Sequence, residues 1–191
     1  DIRDLLALQS IRYESEKYGP SNYSIYMNKD YGNVKGYTFS FTKRYDPLSK
    51  TSAFVDYTYQ VTEGNSVNSG SFYYNALSGE QEEKRIVPLA WDQRHILNTN
   101  LSIGDPRNWN VGIISRLSSG WPYTPNIPDA NYVPQPNSGR KPWQWRIDMR
   151  VHKNFKVGNL NYLFFMKIYN LLDRRNERYV FNDTGRAGYT Y

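Results

Sequence analysis

The amino-acid sequence predicts an all-β fold, an antiparallel up-and-down meander of about seven strands that forms a segment of a transmembrane β-barrel. Two observations lead to this prediction. Residues 143–157 alternate apolar and polar side chains, and successive side chains of a strand point to opposite faces. Short turns also alternate with long polar connections along the chain, an asymmetry typical of outer-membrane barrels.

The strand over residues 143–157 is the clearest element. Apolar side chains occupy its odd-numbered positions, with Lys153 as the single charged interruption, and polar or charged side chains occupy its even-numbered positions. The stretch is longer than the usual strand of about five or six residues. A long strand with one apolar face and one charged face is the pattern expected of a membrane-crossing β-strand.

Turn signals and alternation together predict the other strands. Residues 46–50, 105–108 and 158–159 are rich in Asp, Asn, Pro and Gly and are predicted to form tight turns. These three turns are expected at one end of the sheet, the periplasmic end, and the long connections at the other. The polar stretches of about 63–90 and 123–142 are too long for simple hairpin connections. The first strand is the weakest prediction, because its sequence would suit a helix nearly as well. The predicted strands are residues 3–12, 24–45 (irregular at its start), 51–62, 94–104, 109–120, 143–157 and 160–171.

The composition excludes several classes of protein. The chain has 191 residues with no cysteine, which excludes a disulfide scaffold and a thiolate zinc site. No run approaches the eighteen or so apolar residues of a transmembrane helix. The net charge of +6 could suggest a nucleic-acid partner, but the basic residues are scattered along the strands, so none is expected. Tyrosine, with 18 residues, suits both pleated strands and membrane–water boundaries.

A soluble alternative stays open, because the strands of a β-sandwich also alternate. In that case the chain would be a soluble β-sandwich glycan-binding module that uses exposed aromatic side chains. No enzyme, cofactor site or metal site is expected. Asp92 and His95 lie close in sequence, but they lack a second nearby histidine. We expect residues 92–95 to hydrogen bond at a strand start near the base of a loop.

Two groups of residues are candidates for a functional surface. Arg146, Asp148 and Arg150 share one strand face and are candidates to face the lumen, either paired with neighbouring strands or contacting a plug or a substrate. Aromatic side chains flank the second long connection (about 123–142), which is rich in proline. They would form either a ligand platform or an interface girdle. These aromatic candidates are Trp121, Tyr123 and Tyr132, together with Trp143.

Five segments of the chain carry motifs that recur in a known family. They are N-K-D-Y-G-N-V-K-G-Y (28–37), P-L-A-W-D-Q-R-H (88–95), G-W-P-Y-T-P (120–125), R-I-D-M-R-V-H-K-N-F (146–155) and Y-N-L-L-D (169–173). These segments resemble TonB-dependent outer-membrane receptors, and the likeness is closest to the Oar-like branch, whose N-terminus carries a carboxypeptidase-regulatory-like domain. Each segment is a weak signal alone, but their order and spacing match over nearly the whole chain.

The resemblance implies a barrel of about 22 strands closed by an N-terminal plug, in the outer membrane of a Gram-negative bacterium. Residues 1–191 are then expected to be a C-terminal portion of that barrel, without the plug and the final strand. Expected partners are outer-membrane lipid, the plug and remaining strands of the parent chain, and TonB through the missing N-terminal part. The implied function is uptake of a nutrient with energy from the TonB system.

Overall fold

The computed structural model describes residues 5–15, 19–65, 85–126, 132 and 134–188, and these residues form eleven strands. No helix in this part of the chain is long and apolar enough to cross a membrane. The strands are β1 (Leu5–Ser15), β2 (Gly19–Asp30), β3 (Gly32–Asp46), β4 (Thr51–Gly64), β5 (Val87–Pro88), β6 (His95–Asp105), β7 (Trp109–Ser118), β8 (Pro122–Tyr123), β9 (Gly139–Arg140), β10 (Gln144–Val157) and β11 (Leu160–Ile168).

Six long strands form one antiparallel sheet in the order β3-β4-β6-β7-β10-β11, and the short β5 pairs with the end of β4. Each long strand lies beside its neighbour in the chain, which confirms the all-β class and the antiparallel meander. The sheet is open across the described residues, with β3 and β11 at its edges. β8 and β9 form a small two-stranded ladder, and β1 and β2 form a hairpin sheet of their own.

The prediction of one strand over residues 24–45 was wrong, because the chain changes partner at Tyr31. The backbone N–H of Tyr31 donates to the Asn65 side chain at 2.6 Å, and its carbonyl accepts the Asn65 N–H at 3.0 Å. Since Asn65 hydrogen bonds both backbone groups of Tyr31, β3 begins one residue later, where Gly32 pairs with Gly64. The preceding segment is β2, which pairs with β1. The first predicted segment is therefore a strand rather than a helix, and its residues 3 and 4 lie outside the described part.

The three predicted tight turns lie at one end of the sheet, as expected. Asp46 and Asp105 begin the first two turns, and their carboxylates accept backbone N–H groups two or three residues further on. Gly158, with φ of 59°, takes the left-handed conformation that the third turn needs. The Gly104 N–H donates to the Lys50 carbonyl at 2.8 Å and so joins adjacent turns. We call this the turn end, and the opposite end, where the long connections lie, the loop end.

The hairpins are staggered in one direction across the sheet. β6 continues two residues beyond its Thr51–Ile103 pair with β4. β10 continues four residues beyond its Trp109–Lys153 pair with β7. Strand stagger of one sign, with the tilt that accompanies it, is the geometry by which a sheet closes into a barrel.

The pairing register sorts the side chains into an apolar face and a polar face. Residues directly opposite in an antiparallel pair lie on the same face. One row across five strands consists of Phe39, Tyr57, Leu97, Leu117 and Trp145. Because side chains alternate along each strand, this row places most apolar positions of the five strands on the same face. The apolar side chains that lie on the polar face instead include Phe54, Ile96, Ile114 and, in β11, Leu163 and Phe165.

The neighbouring row shows the chemistry of the polar face. It consists of Ser40, Asp56, Asn98, Arg116 and Arg146. The Ser40 hydroxyl donates to the Asp56 carboxylate at 2.6 Å. The polar face is therefore largely hydrophilic, whereas the apolar face is largely hydrophobic, with Thr99 and Ser115 between Val55 and Ile147 in one of its rows.

Burial is concentrated at the loop end and not on the sheet. Val87 and Leu89 are the buried apolar side chains of the described residues, at 4% and 3% exposure. On the apolar face, Phe39 is 64% exposed and Phe164 is 54% exposed. The described part of the chain thus places no protein layer over the apolar face.

The loop end depends on close backbone packing at Gly120. A Cβ at this position would collide with the carbonyl of Lys141, whose N–H donates to the Trp121 carbonyl at 3.0 Å. We expect Gly120→Ala to lower the free energy of unfolding by roughly 1–3 kcal/mol, measured by urea denaturation. Gly188→Ala is the matched control, because nothing lies within 4 Å of its added methyl group. Equal denaturation midpoints for the two variants would contradict this packing.

Candidate functional site

Asp92 is the centre of a buried polar cluster at the loop end, and its side chain is fully buried. One carboxylate oxygen accepts the Thr62 N–H at 2.8 Å. The other accepts Arg94 Nε at 3.3 Å and also pairs with Arg140, whose second guanidinium nitrogen donates to the Asp92 carbonyl. Asp92 therefore joins the end of β4, the start of β6 and β9.

The residues around Asp92 extend the same network of hydrogen bonds. The Gln93 side chain donates to the Ser119 carbonyl at 2.8 Å, and the His95 N–H donates to the Ser119 hydroxyl at 3.0 Å. The Asn137 side chain donates to the Pro88 carbonyl at 2.8 Å. Residues 92–95 thus hydrogen bond at a strand start near the loop base, which confirms that interpretation. The described residues contain no group of three side chains suited to hold a metal ion.

Arg146, Asp148 and Arg150 share the polar face of β10, but their ion pairing differs from the prediction. Arg146 Nε bonds the Asp148 carboxylate at 2.8 Å within the same strand. The residues directly opposite on the neighbouring strands are Arg116 for Arg146 and Lys167 for Arg150. Of the two alternatives, ion pairing of Arg146 and Arg150 to the directly opposite residues is therefore absent, because the register brings like charges together.

A cleft of about 360 Å³ opens on the polar face at the loop end. Strands β7 and β10 and the chain after β11 supply its arginines, which are Arg116, Arg146 and Arg178. Arg116 and Gln144 were missed as candidates, because the tight turn at 105–108 fixes Arg116 only against Asn98 of β6, and the register of β7 against β10 is not set by a tight turn. Arg178 follows the last strand in an irregular segment, where no periodic pattern indicates its position. The other lining residues are Gln93, Ser118, Trp121, Gln144, Trp145 and Asn176.

The loop aromatics do not form a single platform. Trp121 is exposed and lines the cleft, whereas Tyr132 is exposed in a connection only partly described. The Tyr123 ring lies against Gly139 and Gly185, where added Cβ atoms would meet it. Tyr123 is thus a packing residue at the loop end, and Trp121 alone of these three lines the cleft.

An aromatic band crosses the apolar face near the loop end. Tyr37 and Tyr59 lie with ring centroids 5.4 Å apart, and Tyr59 lies 5.1 Å from the His95 ring. The His95 ring stacks on Trp143 at 5.6 Å and its Nδ1 hydrogen bonds the Tyr57 hydroxyl at 2.9 Å. At the turn end, Phe155 and Tyr162 stack at 5.5 Å. Aromatic residues therefore lie at both ends of the apolar face.

The chain after β11 folds back along β10 with the help of side-chain hydrogen bonds. Asn176 accepts the Trp145 N–H at 2.9 Å and donates to the Trp145 carbonyl at 3.0 Å, in place of a paired strand. Glu177 bonds the Arg186 guanidinium and accepts the Ala187 N–H at 2.7 Å. The bond from Arg186, followed by that from the Ala187 amide, lowers the pKa of Glu177 below its ordinary range.

Comparison with known proteins yields no match to a family model, to a curated protein or to a solved structure.

Substitution of Asp92 should destabilise the loop end strongly. Asp92→Ala leaves the buried Thr62 N–H without its acceptor and Arg140 without its partner, so we expect a loss of about 3–5 kcal/mol in the free energy of unfolding. Asp92→Asn should cost less, because an amide oxygen can still accept the Thr62 N–H. Asp173→Asn, on an exposed residue, is the control in urea denaturation. A loss from Asp92→Ala no larger than that of the control would show that Asp92 does not join the three strands.

The segment after β11 should loosen in acid. Because the pKa of Glu177 is lowered in the folded chain, its contribution to stability is complete above its ordinary pKa and is lost as pH falls through the lowered value. Base-catalysed exchange slows as pH falls, so loss of this protection should make hydrogen exchange of the Ala187 amide slow less over the acidic window than base catalysis alone predicts. Glu177→Gln, which loses the charge, should show faster exchange at neutral pH and should slow in acid as base catalysis alone predicts. Identical acid profiles for the two chains would rule out this role.

Proposed function

We propose that this chain forms part of the wall of an outer-membrane β-barrel, and that the barrel belongs to a transporter of the TonB-dependent receptor type. One observation carries the membrane part of this proposal. A single-layer antiparallel sheet presents a largely apolar face that no described part of the chain covers, with a polar face behind it.

The apolar face needs an apolar environment. Soluble proteins rarely expose contiguous apolar patches larger than a few hundred Å², and each Å² left in water forgoes about 25 cal/mol of transfer free energy. Phe41, Ile103 and Phe155 are each about half exposed along this face. Lipid covers such a face without any further protein layer, and a closed barrel satisfies the backbone hydrogen bonds within the membrane.

The spacing of the aromatic residues fits the thickness of a membrane. Trp145 and Phe155 lie ten residues apart on the apolar face of β10, which is roughly 34 Å along a strand at about 3.4 Å per residue. A strand tilted by about 40° from the barrel axis reduces this to a height of about 26 Å. Outer-membrane barrels carry apolar bands of about 25 Å between two aromatic girdles.

Lys153, the one cation on the apolar face of β10, lies near the expected membrane boundary, where its charge can reach water. It is paired with Trp109, at the turn end, and its ammonium group donates to the Asn108 side chain at 2.9 Å. A lysine near the boundary keeps its stem against apolar surface and its charge in water. The position therefore agrees with a membrane boundary at the turn end.

The transporter part of the proposal rests on the five segments that resemble TonB-dependent receptors. In this reading the polar face lines the lumen, the short turns face the periplasm and the long connections face the outside. The P-L-A-W-D-Q-R-H segment (88–95) contributes Asp92, so this segment anchors the long connections to the barrel rim. The plug, the remaining strands and TonB are the proposed partners, and the proposed activity is energised nutrient uptake.

The soluble β-sandwich glycan-binding module is the weaker alternative. A sandwich buries its apolar face against a second sheet about 10 Å away. The aromatics that would bind a glycan are also divided, since Tyr123 is packed at the loop end and Trp121 lines an arginine-rich cleft. The uncovered apolar face therefore favours a membrane wall over a sandwich.

Two adjacent substitutions on β10 test which face meets lipid. Met149→Arg places a cation at the middle of the apolar face and should cost about 2–4 kcal/mol in a bilayer. Arg150→Met, on the polar face, should be much milder because it loses only a charge beside Lys167. Folded yield of the full chain in lipid vesicles, read from heat-dependent gel mobility, distinguishes the two. Comparable yields would contradict the assignment of the faces.

A further inference from the structure

The polar face carries like charges in positions where a sheet ordinarily avoids them. Arg116 lies directly opposite Arg146, and Arg150 lies directly opposite Lys167. Like charges directly opposite on neighbouring strands destabilise a sheet. Asp148 is the one carboxylate placed between these cations, and it is bonded to Arg146 and to the Asn170 N–H. The cationic charge on this part of the sheet therefore exceeds the anionic charge available to neutralise it.

The cleft at the loop end concentrates this excess charge. No acidic side chain occurs among the described residues that line it. Within the described part of the chain, Arg116 and Arg178 have no ion-pair partner. The acid next to Arg178 in sequence, Glu177, is already bonded to Arg186. Two guanidinium groups that line the cleft are thus left without a counter-charge from the described residues.

A neutral hydrogen-bond donor in the cleft also lacks a partner. The side-chain Nε2 of Gln144 is buried and has no acceptor among the described residues. Gln144 lines the cleft together with the three arginines. A buried donor without an acceptor costs free energy that a bound acceptor would recover. The cleft therefore presents donors from three segments of the chain.

We infer that this cleft is a binding site for the oxyanion group of a small solute, a carboxylate or a phosphate. Planar guanidinium groups match both groups through paired N–H donors. The volume of about 360 Å³ lies within the range of small-ligand sites, and Trp121 at its edge offers an apolar surface for the rest of the solute. This site depends on the proposed function in one respect, which is that the polar face lines a water-filled lumen.

Calorimetric titration of the full chain in detergent, at constant ionic strength, tests the site. The probes are inorganic phosphate in one arm and citrate in the other, with choline chloride as the cationic control. We expect saturable binding of at least one anion and none of choline. Arg116→Gln and Arg178→Gln should each weaken that binding about tenfold, the equivalent of one lost charge-assisted hydrogen bond. Arg107→Gln, the same change of charge at an exposed residue in a tight turn, should leave it unchanged.

A second measurement separates a binding role from a structural one. Because Arg116 opposes Arg146, Arg116→Gln should raise the thermal midpoint of the anion-free chain while weakening anion binding. The site would be overturned if neither anion bound saturably, or if Arg107→Gln weakened binding as much as the two cleft variants. A lowered thermal midpoint for Arg116→Gln would also overturn it. Insertion of these variants into lipid vesicles, scored separately, tests the membrane wall. Normal insertion without anion binding would reject the site alone, whereas anion binding without insertion would reject the wall alone.

Discussion

The pairing register of the meander is the constraint on which the other features of the sheet depend. The side-chain period of a strand is two, so a slip of one residue between neighbours would move every apolar side chain of that strand to the other face. Three tight turns limit such slips, since Asp46 and Asp105 hold their turns through side-chain hydrogen bonds and Gly158 supplies a left-handed residue. The same register that aligns the apolar row of Phe39 and Trp145 also brings Arg116 opposite Arg146.

Among the described residues, side-chain burial is concentrated at one end of the sheet. Buried side chains such as Leu89, Asp92 and Asn137 lie among the long connections, and the strands themselves are exposed on both faces. A soluble domain has the opposite distribution, because its sheet faces are where apolar area is removed from water. In a membrane wall lipid supplies this cover, and the protein must hold only its loops by its own contacts. The Asp92 cluster does this by joining β4, β6 and β9.

Local patterns predicted the elements of the sheet better than its contacts. Alternation along residues 143–157 and the turn signals predicted β10, the meander and the common end of the three turns, because all of these depend on neighbouring residues. The break at Tyr31 was not predictable, since it depends on Asn65, which lies 34 residues away. The cleft was also missed, because Arg178 reaches it from an irregular segment after β11. Residues 92–95 were interpreted correctly as hydrogen bonding at a loop base, but the partner Arg140 lies within the second long connection, 48 residues from Asp92.

The central claim is that the apolar face lies against lipid. The chain has no cysteine, so a single cysteine carrying a nitroxide label can be placed at each position of β10 in turn, with the full chain in lipid bilayers. The surroundings of each label are then measured from its collisions with two reagents. Oxygen concentrates in lipid, and a nickel chelate stays in water. The account predicts a period of two, with Ile147, Met149 and Val151 accessible to oxygen, and Asp148 and Arg150 accessible to the chelate. Labels at the first three positions that are accessible to neither reagent would show that protein covers this face, and would contradict the account.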